Sequence, residues 1–513
     1  MALQKSSRPA PIAEMHRLVR DARYKEAAQL YDAFAAAGRS APLESLFLRA
    51  KLQVKADAAA GVRFLLHNRD RIVSRHERAI AELYLGIAYG RMREFAQADS
   101  HFTEAARLAS RTLRFLAELA YERARRYLLE LRTPEAWECY QATLSDKSLT
   151  GRVRSEQLRG FILAQEERYV DQALSLMKVI NAIKRRHTDY LETWYLAIHT
   201  LAALARELAI PEALSLAQTA LEDIDNWSPD FAINHFQALK AVGWCKALSG
   251  DQLSCFRYLR RAQSVAPDAA WRAMVHLDRA YFARSIGEEQ WSMNEIAQAE
   301  EIGEGVDWNA CQSEERVALL LFAELLSAVD GEKAAYYMGR YNTLDKLGSP
   351  VFHFAFDQRL KALSDCTNGL VREANGAPDD AVNRLRSAWS TFDRIGYDWR
   401  AGRTAMRLFR LTGKSSWRRL AEGKLEHYKH SWLWKDLRDA TPPRRTRASR
   451  TDLTPSQERI FRMICNGMST EAIAKKLGRS QSTVRNHLKL IFKKLGVHSR
   501  PALVALAAKR DLI

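Results

Sequence analysis

The stretch Tyr84–Leu108, YLGIAYGRMREFAQADSHFTEAARL, decides how most of this chain is read. Small residues, Gly86 and Ala98, stand where two antiparallel helices have to approach each other, and Tyr89 and Phe102 are large enough to fill the space between them. A second stretch, Val242–Pro267, repeats the pattern in register. There Val242, Gly243, the small Cys255, Leu259, Ala262 and Pro267 take the corresponding places, and the proline follows the second helix, where it breaks no internal hydrogen bond.

In the first copy Leu85, Gly86, Tyr89, Ala98, Phe102 and Ala105 fall at the offsets of a tetratricopeptide repeat, and the chain resembles that repeat class over roughly residues 10 to 435. RYKEAAQLYDAFAAAG (Arg23–Gly38) reads as the second helix of another unit, and LRSAWSTFDRIGYDWRAGRTAMRLFRLTG (Leu385–Gly413) as a degenerate pair. Amphipathic segments at helical period, Tyr190–Leu208 and Glu212–Leu221, lie between them. The resemblance implies an all-α protein whose residues 11–437 form an N-terminal α-solenoid of tetratricopeptide-like helical hairpins, after a disordered 1–10. Such an array offers a face to a protein or peptide ligand. Composition agrees: 23 Gly and 13 Pro in 513 residues are few breakers, and 47% hydrophobic residues can bury more than one core.

The net charge of +18 is unevenly placed: residues 444–513 hold 16 Lys/Arg and 4 Asp/Glu, so two thirds of the excess lies in this short terminal segment. That is the footprint of a phosphate-binding surface. Residues 438–452 include DATPPRRTRASRTD, with paired prolines and no apolar anchor, and read as a flexible basic linker. The six cysteines are scattered without a CxxC pair, which fits buried thiols in a reducing compartment. The N-terminal MALQKSSRPAPIAEM lacks the apolar run of a signal peptide, and the most apolar stretch, Val317–Val329, contains Glu324 and is short of the about 20 residues a membrane span needs. A soluble, cytoplasmic protein without a membrane partner is expected.

Beyond the linker, three helices are legible. Thr454-Pro455-Ser456-Gln457 is an N-terminal signature, with Thr454 as N-cap, Pro455 first in the helix and Gln457 able to complete a capping box. Ile460, Phe461, Met463 and Ile464 form its apolar face, and Gly467 ends it. Ser469 caps a short second helix with Ile473, Ala474 and Leu477 inside; Gly478-Arg479 turns the chain, and Ser480 caps a third. In the third helix Val484, Leu488, Ile491 and Leu495 share one face, and Ser482, Arg485, Asn486, Lys489 and Lys493 the other, up to Gly496. Two short helices about a glycine turn, the second polar and basic outside, make a helix-turn-helix.

Leu453–Ile513 closely resembles the LuxR-type (GerE-type) helix-turn-helix family. Leu453-Thr454, Gly467, Ser469, Ile473, Ala474, Leu477, Ser480, Thr483, Val484, His487, Ile491, Lys494-Leu495-Gly496-Val497 and Arg500 carry the likeness. It implies a four-helix domain over 453–513 that binds double-stranded DNA as a homodimer. By position Arg485, Asn486 and Lys489 would read bases, and Lys475, Lys476, Ser482, Thr483, His487, Lys493 and Lys494 would meet phosphates. A fourth helix from Pro501 to Lys509 would supply the dimer contact through Leu503 and Ala507. This sequence departs from the family at Ser456-Gln457, usually Arg-Glu. It departs again at Ala472, where a common glutamate and its reciprocal cap are missing at about 0.5–1 kcal/mol, and at Arg479, usually apolar.

Other chemistry finds no support. No GxxxxGK[ST] occurs, since Gly413-Lys414-Ser415 would need a glycine where Leu408 stands, and no strand–helix alternation suggests a receiver domain. No HExxH occurs; His427 and His430 could share a metal but lack a third ligand in sequence and read as surface histidines. No catalytic residues, metal or cofactor are expected. The whole reads as a transcription regulator, with RNA polymerase as a further partner. The alternatives are an interaction scaffold whose helix-turn-helix contacts protein, and a sigma-factor-like module that needs RNA polymerase before it touches DNA.

Overall fold

A computed structural model describes residues 10–37, 43–109, 112–224, 226–347, 358–442, 453 and 455–509. No strand occurs among them: the protein is all-α. The described residues fall into two compact units, the larger from 1–408 and 414–440, the smaller from 409–413 and 441–513. The N-terminal residues 1–9, Gly38, Thr454 and positions 443–452 of the expected linker lie outside the described residues.

Helices before the linker come in antiparallel pairs, eleven among the described residues, from Ala10–Arg20 with Tyr24–Ala36 to Asp398–Thr412 with Ser415–Leu425. The pairs close where one helix presents almost no side chain. A Cβ placed on Gly86 would stand 2.6 Å from the Phe102 ring, and one on Gly369 would stand 2.7 Å from Leu385. Gly243 faces Leu259 at 3.5 Å and the Tyr258 Cβ at 3.4 Å. In all three the large residue lies sixteen positions after the glycine, with a buried small residue between at Ala98, Ala381 or Cys255. The Gly369 copy corrects the pairing expected for Leu385–Gly413. Its two helices belong to different hairpins, Gln358–Ala374 with Pro378–Arg394 and Asp398–Thr412 with Ser415–Leu425, where Gly402 meets Leu425.

Most turns within the hairpins share one backbone device. One residue adopts a left-handed conformation, and the next amide donates to a carbonyl five residues back, as Glu94 does to Tyr89 (2.9 Å) and Asp251 to Lys246 (2.8 Å). Gly250 serves there (φ +89°), but so do Arg93 (+64°), Leu131 (+61°) and Glu167 (+59°), at a cost of roughly 1–2 kcal/mol each that the hydrogen bond and the packed helices offset.

No hairpin can bury both its faces alone, so first helices stack on one another. The Phe236 and Trp271 rings lie 5.1 Å apart, and Trp244 Nε1 donates to Asp278 Oδ1 at 3.0 Å across successive first helices. Contacts also recur five hairpins apart. In the first hairpin, Tyr24 hydroxyl donates to Glu192 (2.6 Å) and its amide to Asp230 (2.5 Å), both on segments around the sixth. In the sixth, Glu207 accepts from Trp399 Nε1 (3.0 Å) and from Arg400 Nε and Nη2 (2.7 and 2.9 Å) of the eleventh. Burial opposes ionisation of Glu207, but Arg400 and Arg206 outweigh it and hold its carboxyl down at about 2.

In the smaller unit Leu453, Ile460, Phe461, Ile464, Ile473, Val484, Leu488, Ile491 and Leu495 gather into one core. Burial pushes the Cys245 thiol up to about 12, and Cys255 and Cys311 are likewise buried and raised. His427 and His430 are exposed, and no described helix is long and apolar enough to cross a membrane.

Two predictions follow from the packing. Gly86→Ala forces a methyl into Phe102 and lowers stability by about 1–3 kcal/mol, whereas Gly243→Ala stays within about 1 kcal/mol of the parent; thermal unfolding of the full chain distinguishes them. Glu207 has a depressed folded-state pKa, so its contribution is present above pH about 4.5 and is lost as pH falls toward about 2. The melting-temperature gap between the parent and Glu207→Gln narrows over that window.

Candidate nucleic-acid interface

The surface begins with caps. Ser469 Oγ accepts from Ala472 N (3.1 Å) and starts the Thr470–Leu477 helix; Ser480 Oγ accepts from Thr483 N (3.1 Å) and starts Gln481–Leu495. Between them Gly478 is left-handed (φ +59°), and Arg479 N bonds back to Ala474 O at 3.0 Å. Arg479 itself is exposed, so the polar residue in this turn displaces no packed side chain. Ala472 leaves only the one-sided serine cap, as its short side chain requires.

Val484, Leu488, Ile491 and Leu495 anchor the Gln481–Leu495 helix in the core, while Ser482, Arg485, Asn486, Lys489 and Lys493 are exposed on its other side. The structure therefore brings the expected base-facing trio onto one solvent-facing surface. Gln481, which the sequence reading passed over, belongs with them: it is exposed, and its Oε1 lies 3.4 Å from Arg485 Nη2. Its place at the first position of a capped helix is the signal that could have found it. Lys475 and Lys476 are exposed on the preceding helix.

Other expected phosphate contacts have work inside the domain. Thr483 is half-buried, and its hydroxyl lies 2.8 Å from Ser480 Oγ; Ser482 Oγ lies 2.7 Å from the same oxygen. Lys494 donates to Gln457 Oε1 at 3.1 Å, tying the third helix to the first. His487 is half-buried, with Nδ1 enclosed and without a hydrogen-bond partner among the described residues. Arg500 Nη2 donates to Met468 O at 2.9 Å and pins the start of the Arg500–Lys509 helix.

Leu503 and Ala507 correct the expectation of a dimer contact. Both are fully buried in the domain's own core and have no surface to offer a partner. The helix's exposed apolar residue is Val504, flanked by exposed Ala502 and Ala505.

Comparison with known proteins places this unit. The family described as "Bacterial regulatory proteins, luxR family" (GerE) matches residues 451–507. Two curated relatives, "Putative HTH-type transcriptional regulator Rv0890c" of Mycobacterium tuberculosis and "Putative HTH-type transcriptional regulator Mb0914c" of Mycobacterium bovis, are each 43% identical over 58 residues. That match covers 11% of this chain and only 7% of each relative. Among solved structures, a Rap protein in complex with competence and sporulation factor aligns with 67% of this chain and 99% of its own, at 12% identity and TM-score 0.40. The Cut9–Hcn1 hetero-tetramer of APC/C aligns with 96% of this chain and 94% of its own, at 12% identity and TM-score 0.32.

Because Leu503 is a core residue, Leu503→Ala is expected to destabilise the small unit by about 2–5 kcal/mol. Hydrogen exchange of the full chain reads this as lost protection throughout helices 455–509, whereas a residue serving only a dimer contact would leave that protection intact. From the caps, the buried stripe, the glycine turn and the family match together, residues 451–507 are a LuxR-type helix-turn-helix domain.

Proposed function

We propose that the chain is a sequence-specific transcription regulator whose C-terminal domain reads promoter DNA in the major groove. The observation that carries this is the exposed surface of the Gln481–Leu495 helix, where Arg485, Asn486 and Lys489 face solvent opposite a buried stripe. Arg and Lys can donate to guanine O6 and N7, and Asn can pair with adenine. Lys475, Lys476 and Lys493 suit phosphate contacts, which set register without reading sequence. Ser482, Thr483, His487 and Lys494 complete the proposed phosphate set, the last three from partly buried or internally bonded positions near the same surface.

On DNA the protein acts as a homodimer, through the Val504 side of the last helix. Residues 11–437 form the repeat domain, which senses a signal or docks a protein or peptide; residues 438–452 link it to the DNA-binding domain at 453–513. RNA polymerase is the further partner, and the cytoplasm the compartment.

Mobility-shift assays with the full chain test this. Arg485→Ala and Lys489→Ala each weaken binding to the specific site by about 1–3 kcal/mol, and Val504→Asp reduces only the dimeric complex. Affinity falls steeply with added salt, as phosphate neutralisation requires. Salt-independent binding, or no effect of either substitution, would favour a domain that contacts protein instead.

A further inference from the structure

The inner faces of six consecutive first helices, from Leu191–Leu208 to Asp398–Thr412, surround a cavity of about 400 Å³ inside the repeat unit. That size suits a small organic ligand, as does a wall that mixes aromatic rings with a few polar groups. On the Ala232–Leu248 helix, Lys240 and Trp244 face the cavity one turn apart; on Ala269–Ser285, Trp271, Met274 and Asp278 do so at the same helical period.

Buried polar groups are normally satisfied. Glu207 in this cavity obeys that rule, with Arg206, Arg400 and Trp399 all donating to it. The wall formed by Lys240 and Trp271 does not. Trp271 is 3% exposed, and its Nε1–H has no hydrogen-bond partner among the described residues. The Lys240 ammonium has the Met274 thioether sulfur at 2.8 Å and Asp278 Oδ2 at 3.4 Å, a weak acceptor and a long contact for three N–H donors. Asp278 spends its other oxygen on Trp244 Nε1. Burial lowers the Lys240 pKa, with Asp278 opposing as its counter-ion, so the ammonium is paired in charge but short of close hydrogen-bond acceptors. Lys240 reaches Met274, one helical turn from Trp271, so the weakly bonded ammonium and the unpartnered indole N–H line the same wall.

A group whose two oxygens can accept from an ammonium and an indole N–H together is a carboxylate. The adjoining Trp244 and Trp271 rings suit an apolar body attached to it. We infer that this cavity binds a small carboxylate with an apolar body, its oxygens accepting from Lys240 Nζ and Trp271 Nε1. The inference rests on reading the repeat domain as the sensing half of the protein. The acid is either a free metabolite or the C-terminal residue of a short peptide, the same chemistry at the same donors.

Calorimetry and thermal shift on the full chain test it with three probes: N-acetyl-L-phenylalanine, its neutral C-terminal amide, and acetyl-Ala-Ala-Phe with a free carboxylate. At least one acid binds and raises the melting temperature, and the amide binds at least tenfold more weakly. A preference for the tripeptide marks a peptide end, and a preference for the single residue a free metabolite. Lys240→Met and Trp271→Phe each weaken the acid at least tenfold. Lys240→Met leaves Asp278 uncompensated, so Trp271→Phe, which removes the N–H with part of the ring but leaves every charge in place, decides the matter if the lysine variant does not fold. Equal binding of acid and amide, no binding of either acid at millimolar concentration, or unchanged affinity in Trp271→Phe would overturn the inference. Mobility shifts on the same preparations report DNA binding separately, so failure of the cavity reading is distinct from failure of the regulator reading.

Discussion

Two helices can share a core only as closely as their side chains allow, and this limit governs the larger unit. Where Gly86, Gly369 and Gly402 stand, the partner helix drives Phe102, Leu385 or Leu425 into space that a single methyl would occupy. The resulting hairpins are flat enough to stack, and stacking is the only way to cover their remaining apolar faces. The turn within each pair then has to reverse the chain in very few residues. The left-handed residue at Arg93, Leu131, Glu167 or Gly250 is the consequence, with the amide after it satisfying a carbonyl the helix end would otherwise leave open.

Stacking alone would leave the inner faces of the first helices open. Contacts between hairpins five apart change that, and Glu207 is the best defined of them. A buried carboxylate is costly unless charge and hydrogen bonds compensate it. Two arginines and an indole do so here: the neighbouring Arg206, and Arg400 and Trp399 from nearly two hundred positions away. The same contacts that satisfy Glu207 border the space beside Lys240, Trp271 and Asp278, where the Trp271 N–H is left without a partner. A structural ion cluster and an undersatisfied wall therefore lie within one cavity, and only the second calls for a ligand.

In the small unit the same physics yields a stable platform with a free polar surface. Serine caps and left-handed glycines fix both ends of the Gln481–Leu495 helix, and four large aliphatic residues hold its back. Arg485, Asn486 and Lys489 thus project from a rigid element at small entropic cost, as direct readout of bases requires. Arg500 spends its charge inside the domain, on a backbone carbonyl, so positive charge in sequence does not translate residue for residue into contact surface.

Local pattern by itself determined a good deal: two hairpins from the spacing of Gly86 to Phe102 and Gly243 to Leu259, and the helix-turn-helix from Ser469, Gly478, Ser480 and the Val484 stripe. These rest on interactions between residues a few turns apart, which leave periodic traces. Tertiary structure decided the rest. The Gly369 copy escaped notice because its flanking positions carry no telltale aromatic, and the turns at Arg93, Leu131 and Glu167 because nothing in an ordinary side chain announces a positive φ. In RPALVALAAK nearly every side is apolar, so periodicity could not say that Leu503 and Ala507 go inward and Val504 outward; packing against the other helices chose. The pairing of Glu207 with Arg400, and the cavity it closes, depend on segments far apart in the chain, and no local spacing records which of them meet.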